Sequence, residues 1–404
     1  MLKGRLGYTP IKLADPDEAI QMIRHSLTGW SPATEKVPVE DSVGRVSAAD
    51  IYAGRDIPDR DVSAMDGVAL RWRDIAYASP DKPVRLHLVD GPEIGPGQAA
   101  RIFTGELIPN GADTVVKIEN VVFDASGGVI LHHPETGGKN VVHKGSDIAA
   151  GRKIVSRGSR ISPMAATLLM VLGIEEVEVY ARPSAGIICV GDELHQNYMR
   201  KGLAGISYAF LAIKQMEKFG VQVSVTRVVP DDEKLFRETV LELFTSVDAV
   251  ITIGGSSVGG NDIVKSVVEN LRGARPYFSG IQHNPFKSSG YTMADKPVLM
   301  LPGNAVSLAA AIHYLGSVLA AGLQGLDGEP HVFTQARLTA SVKPKNNMRT
   351  SYLVRLEKIG DEIVAHPMGW ATNSLRNLSE ADGFVTVDKN KELEADSTVL
   401  VSLL

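Results

Sequence analysis

Asp248-Ala-Val-Ile-Thr-Ile253 runs directly into Gly254-Gly255-Ser256-Ser257-Val258-Gly259-Gly260-Asn261-Asp262. A short apolar run stops at paired glycines, and a second apolar run, Ile263 to Leu271, follows the terminal acid. Strand, glycine turn and helix in that order form the repeating unit of a parallel α/β sheet. The same order occurs on both sides. Upstream, Ser184-Ala-Gly-Ile-Ile-Cys-Val190 is followed by Gly191-Asp192-Glu193-Leu194. Downstream, Val298-Leu-Met-Leu301 is followed by Pro302-Gly303-Asn304-Ala305-Val306-Ser307. Open α/β sheets gather ligands where strands end and helices begin. Three such turns on one sheet edge would offer backbone N–H groups to phosphates and carboxylates to a metal.

Working outward, residues 183 to 326 alternate strands and helices as in a doubly wound sheet, with amphipathic helices expected over Ala209 to Phe219 and Glu233 to Phe244. Ala305 to Leu323 holds 19 residues without a formal charge, near the length of a membrane span. His313, the serines and the preceding Pro302-Gly303-Asn304 turn make it a buried helix instead. Asp15 to Gly29 reads as a capped helix. Pro38 to Asp50 reads as a strand and turn. Residues 53 to 151 are rich in glycine and proline with short alternating strands (Val84 to Val89, Thr114 to Ile118) and a Gly127-Gly128 hairpin. Pro163 to Leu172, closed by Gly173, reads as a helix. From His331 onward, strands are expected over Val332 to Val342, Tyr352 to Leu356, Glu362 to Ala365, Phe384 to Val387 and Thr398 to Leu403, enough for a small barrel.

The fold class is therefore multidomain α/β plus β: a central doubly wound α/β domain, a β-rich insertion and a C-terminal β-barrel. The divisions fall at 1–32 (a helix packing on the α/β domain), 33–52 with 152–182 (a hinge), 53–151, 183–328 and 329–404. With 404 residues, 44% of them hydrophobic and 22% charged, the chain supports several cores. A net charge of −5 argues against an extended nucleic-acid surface. Met1 to Pro10 is followed by no apolar signal region, and the single cysteine, Cys189, lies in an apolar run and fits a reducing cytoplasm.

Gly254 to Asp262 is the strongest local signal for chemistry. It lacks the Gly-Lys-Ser/Thr of a Walker loop and the spacing of a dinucleotide fingerprint. Taken alone it also fits a tight turn with Asp262 as a helix cap. Asp192 and Glu193 suit a hard cation such as magnesium bridging phosphates, or equally a helix first turn whose acids complement the dipole. Val62 to Ala69 and Phe103 to Asp113 are dense in turn residues and polar groups. No Cys/His cluster has zinc spacing.

In order along the chain, Ser63-Ala-Met-Asp-Gly67, Thr104-Gly105 with Pro109-x-Gly-Ala-Asp113, Gly145-Ser-Asp-Ile148 with Gly151, Gly191-Asp-Glu-Leu194, Gly254-Gly255-x-Ser257-x-Gly259-x-x-Asp262, and Pro302-Gly-Asn304 with Val306-Ser307 resemble the molybdopterin molybdenumtransferase family (MoeA and the gephyrin E domain). The resemblance implies a central domain of the molybdenum-cofactor-biosynthesis type and an elongated homodimer whose site is shared with the partner's β-rich domain. It implies insertion of molybdate, or tungstate, into adenylylated molybdopterin with release of AMP. It also implies magnesium and the molybdopterin adenylyltransferase as a partner, with no nucleic acid and no membrane. On that pattern Gly254, Gly255, Ser256, Ser257, Gly259, Pro302, Gly303, Asn304 and Ser307 would hold the pterin and phosphate portions. Glu193 and Asp262 would hold the metal. Asp66, Thr104 and Asp147 would join them as catalytic side chains.

The chain departs from the family pattern in two loops. The usual Gly-Glu-Ile-x-Asp-Ser-Asn corresponds to Gly205 to Phe210, so that Tyr208, Ala209 and Phe210 replace acid, hydroxyl and amide. The Lys-Pro-Gly-Lys-Pro segment corresponds to Gln282 to Phe286, and His283, Lys287 or Arg275 could compensate for the lost cations. The Ser-Gly of the C-terminal domain aligns near Thr372-Asn373. An altered paralogue that binds molybdopterin or partner proteins as a carrier or scaffold is the second reading. Another nucleotide-handling enzyme on the same α/β unit is the third.

Overall fold

The computed structural model describes residues 13–255, 263–327 and 331–404. At its centre is a mixed sheet in the order Gln222–Val229, Ser184–Val190, Ala249–Gly254, Pro297–Leu301, Gly290–Met293, Arg275–Ser279. The first four strands are parallel, and Gly290–Met293 runs antiparallel to both of its neighbours. The parallel strands are apolar along their length because helices cover both faces. Ala185, Ile187 and Cys189 pack in one layer with Ala19 and Ile23 of α1 (Pro16–Ser26) and with Leu308 and Ile312 further along the chain. Ile188, Val190 and Val250 face Phe236, Val240 and Val264 in the other layer. Burial raises the Cys189 thiol pKa to about 12, which makes it a core residue.

α1 begins where expected: the Asp15 carboxylate accepts the Asp17 amide at 3.0 Å. α2 (Pro163–Val171) is capped by Ser162. In the α/β unit, α3 (Asp192–Lys201) and α4 (Ser207–Lys218) follow the first strand, with α5 (Glu233–Phe244) and α6 (Ile263–Glu269) beyond. α7 (Ala305–Leu323) is the uncharged run, and 89% of its apolar window is buried inside the protein, as a core helix requires. A π-helical turn, Ile312–Gly316, interrupts it.

Smaller β units accompany this centre. Thr34–Pro38 pairs antiparallel with Glu176–Tyr180, joining the outgoing and returning chain. The strand ends at Pro38 rather than beginning there, and the chain continues as a 3-10 turn, Val39–Ser42; proline can make no further ladder donation. A β-rich sheet runs in the order Thr114–Lys117, Gly67–Leu70, Gln98–Ile102, Val84–Leu88, Gly128–Leu131, Val122–Phe123. At the C-terminus, Arg349–Ile359, Glu362–Pro367, Phe333–Leu338, Thr398–Leu403 and Gly383–Val387 pair in turn, and the last closes on the first. Arg349–Ile359 is longer than the five residues expected from the sequence, because it pairs with a neighbour on each side to close the barrel. A short helix, α8 (Leu375–Glu380), capped by Ser374, lies between two barrel strands.

Candidate functional site

The three turns share one edge. Val190 pairs with Gly254, and Ile253 pairs with Leu301, so Gly191, Gly254-Gly255 and Pro302-Gly303 stand in a row beyond the carboxyl ends of three parallel strands. The row is close-packed. A Cβ on Gly254 (φ +83°) would lie 2.6 Å from the Val190 carbonyl oxygen, and one on Gly255 (φ +66°) would lie 2.5 Å from Val264 Cγ2. A Cβ on Gly303 would touch the Gly254 Cα at 3.5 Å. Side chains are therefore excluded and backbone is presented, as close approach to an anion needs.

Asn304 precedes α7 with its side chain exposed and making no cap hydrogen bond. The helix thus presents its positive end with an amide side chain beside it. The Val306 amide donates to the Thr372 carbonyl at 2.9 Å, which brings the barrel's 368–373 segment against this edge. Ser307 is 2% exposed, beneath the loop rather than on it. Ser256, Ser257, Gly259 and Asp262 lie outside the described residues.

Glu193 lies in the first turn of α3 with its carboxylate folded back over Gly191: a Cβ there would be 3.0 Å from Glu193 Oε1. The side chain is exposed and its donors are hard oxygens, which suit magnesium. Its expected co-ligand, Asp262, is outside the described residues, and among the described residues no group of three His, Cys, Asp or Glu side chains converges on a metal position. Sequence reasoning missed Asp231 here. Its amide donates to Asp192 Oδ1 at 3.1 Å, and the Asp192 amide donates to Asp231 Oδ2 at 3.4 Å. Asp231 follows the strand Gln222–Val229 as Asp192 follows Ser184–Val190; that parallel position was the signal that could have found it.

Asp66 and Thr104, 38 residues apart, are brought together: the Thr104 amide and hydroxyl both donate to Asp66 Oδ1, at 2.7 and 2.8 Å. These two bonds, the backbone one foremost, hold the Asp66 carboxyl below its usual range. Gly67 opens the next strand and lets it lie close against Val116, since a Cβ there would sit 1.9 Å from the Val116 carbonyl oxygen. Asp147 is exposed on a separate loop, its amide donating to the Ile57 carbonyl at 3.1 Å. Asp56 braces that loop by accepting the Ala150 amide at 2.8 Å. Among the described residues no hydrogen bond joins Asp66, Thr104 or Asp147 to the three sheet-edge turns.

The two departing loops are built into packing. Ile206 and Ala209 are 2% and 1% exposed in the core, while Phe210 is 54% exposed. His283 does not replace a lost cation. It is 4% exposed, its Nε2 lies 2.9 Å from the Ser351 hydroxyl, and burial, assisted by the nearby Arg349 charge, lowers its pKa to about 3. His283–Asn284 pairs in parallel with Arg349 and Thr350, and Phe286 is fully buried. The segment is a strut between the α/β unit and the barrel. Lys287 is half-buried and Arg275 exposed.

Comparison with known proteins agrees with this layout. The MoeA N-terminal region (domain I and II) matches residues 14–173, the probable molybdopterin binding domain 186–321, and the MoeA C-terminal region (domain IV) 335–404. A molybdopterin molybdenumtransferase of Bacillus subtilis is 30% identical over 98% of this chain and 94% of its own length. One from Synechococcus elongatus is 32% identical over 72% of this chain and 75% of its own. The crystal structure of a molybdopterin biosynthesis MoeA protein from Pyrococcus horikoshii superposes with a TM-score of 0.77 at 28% identity, covering 97% of this chain and 99% of that one. From end to end, then, the chain belongs to the MoeA family of molybdopterin molybdenumtransferases, proteins of molybdenum cofactor biosynthesis.

Proposed function

We propose that this protein inserts molybdate into adenylylated molybdopterin and releases AMP. The observation that carries the proposal is the glycine row, in which three parallel strand ends present backbone and the positive end of α7 to one small volume. Phosphate and pterin groups gain hydrogen bonds there from fixed amides, which costs no reorganisation during reaction. Gly254, Gly255, Pro302, Gly303 and Asn304 take the ligand-holding role, with Ser256, Ser257 and Gly259 on the same loop; Ser307 supports them from below. Glu193 with Asp262 would hold magnesium, which supplies charge neutralisation at the phosphate.

Asp66, fixed as a carboxylate by Thr104, and Asp147 are on loops that, among the described residues, have no bond to the sheet edge of their own chain. That separation supports a homodimer in which a second copy brings them to the row. We further propose the division 1–32, 33–52 with 152–182, 53–151, 183–328 and 329–404, a cytoplasmic location, and hand-over of substrate from the molybdopterin adenylyltransferase. Tungstate, a tetrahedral oxyanion of similar size, is the competing metal substrate.

The test is single-turnover conversion of adenylylated molybdopterin with magnesium, with and without molybdate, following AMP. Molybdate-dependent AMP release that is lost in Glu193→Ala is expected. Tight substrate binding without release would overturn the transferase proposal in favour of a carrier.

A further inference from the structure

A separate cavity is at the opposite end of the strands from the glycine row. It encloses about 500 Å³ between the hinge and the α/β unit, where Ser184–Val190 and Gln222–Val229 begin rather than end. A strand of seven residues separates the two sites by about 20 Å. Arg45, Arg160, Arg182 and Lys218 line it, together with Tyr180 and Gln324.

The charges around this cavity do not balance. Arg45 is paired with Glu35 and also donates to the Tyr180 carbonyl at 2.9 Å. Glu217, the acid on the wall, is paired with Lys214 at 2.7 Å. Arg160 donates to the Gly44 carbonyl at 2.7 Å and reaches Gln324 Oε1 at 3.4 Å, but no carboxylate pairs with it among the described residues. Arg160 is exposed as a residue, and desolvation of part of its side chain lowers its pKa. Arg182 and Lys218 are exposed, and neither has an ion pair among the described residues. Like charges gathered around one cavity repel one another, and a bound anion relieves that repulsion. The cavity is within the range of small-molecule sites, and planar guanidinium groups match phosphate oxygens in pairs.

We infer that this cavity binds a small phosphate-bearing anion with two or more negative charges, at a site separate from the glycine row. The hinge supplies Arg45 and Arg160 from segments flanking its strand pair, and the α/β unit supplies Lys218 from the end of α4 and Gln324 from just beyond α7. A bound anion therefore ties the two units together.

The experiment is calorimetric titration of the full-length protein, without magnesium, using pyrophosphate in one arm and ADP in the other. The variants are Arg182→Ala/Lys218→Ala, which removes two exposed cations and leaves the core intact, and Asn304→Ala at the glycine row. Expected is saturable binding of one anion per chain, weakened at least tenfold in the double variant and unchanged in Asn304→Ala. Binding in both arms identifies the phosphates as the recognised group; binding of ADP alone identifies a nucleotide. Absence of saturable heat, full binding in the double variant, or loss in Asn304→Ala would overturn the inference. None of these readouts depends on turnover, so the result stands apart from the transferase test.

Discussion

Acidification from pH 7 to pH 5 will destabilise this protein through two buried histidines. His283 and His313 are 4% and 3% exposed, and the Nε2 of each lies beside a hydroxyl, Ser351 at 2.9 Å and Ser402 at 2.7 Å. Burial lowers both pKa values from 6.5 to about 3. Arg349 adds to the effect at His283, against the opposing Asp17 and Asp388; His331 and Lys218 add to it at His313. With the folded pKa depressed, the unfolded chain binds more protons below pH 6.5, so stability falls with falling pH until about pH 3. Each histidine then costs about 2 kcal/mol between pH 7 and pH 5, and the two together about 4 kcal/mol. The depressed carboxylates Asp17, Asp50, Asp56, Asp61, Asp66, Asp124 and Asp388 enter only at lower pH, since their unfolded value is 3.8. Urea midpoints at constant ionic strength over this range are the assay. His283→Gln and His313→Gln should each remove about half of the pH dependence, because each removes one of the two groups. A midpoint that stays level between pH 7 and pH 5 would refute the argument.

Thr104→Val removes one of the two bonds that fix Asp66; AMP release should fall about tenfold and return in Thr104→Ser, with KM and kcat measured separately. Arg349 joins α1 to the barrel, donating to Asp17 at 2.6 and 2.9 Å and to Asp388 at 2.8 Å. These carboxylates are largely exposed, so a double-mutant cycle on Arg349→Met and Asp17→Asn should give a coupling of only about 1 kcal/mol. Thr292 is fully buried with an unpartnered hydroxyl. Thr292→Val should raise the unfolding midpoint, by about 1 kcal/mol of stability; a lowered midpoint would show that the hydroxyl has a partner.

The centre of the fold was legible in the sequence because strands buried on both faces read as unbroken apolar runs. Ser184–Val190 and Ala249–Gly254 left no room for another reading. The same rule explains what escaped. Thr34–Pro38 is mostly exposed and exists only because Glu176–Tyr180 pairs with it. Arg275–Ser279 and Gly290–Met293 mix arginine, proline and tyrosine and form by antiparallel pairing with each other at the sheet edge. In the site, glycine turns announced themselves through their composition. The pairing of Asp231 with Asp192 depends on two strand ends 39 residues apart, which no local pattern encodes. His283 was misread as a possible ligand cation because a histidine's charge depends on its burial, which sequence order alone does not carry.

α1 belongs to the same core layer as α7: Leu27 packs where a Cβ on Gly322 would come within 2.4 Å, and Trp30 Nε1 donates to the Leu323 carbonyl at 3.3 Å. During synthesis these surfaces are made nearly 300 residues apart, which at ribosomal rates of about 5–20 residues per second is tens of seconds. α1, made long before α7, is therefore among the last helices to be buried. Throughout that interval its apolar side, Ala19, Ile23 and Leu27, faces water or a chaperone, while the hinge and the β-rich sheet, whose strands lie wholly between the two helices, are free to fold first.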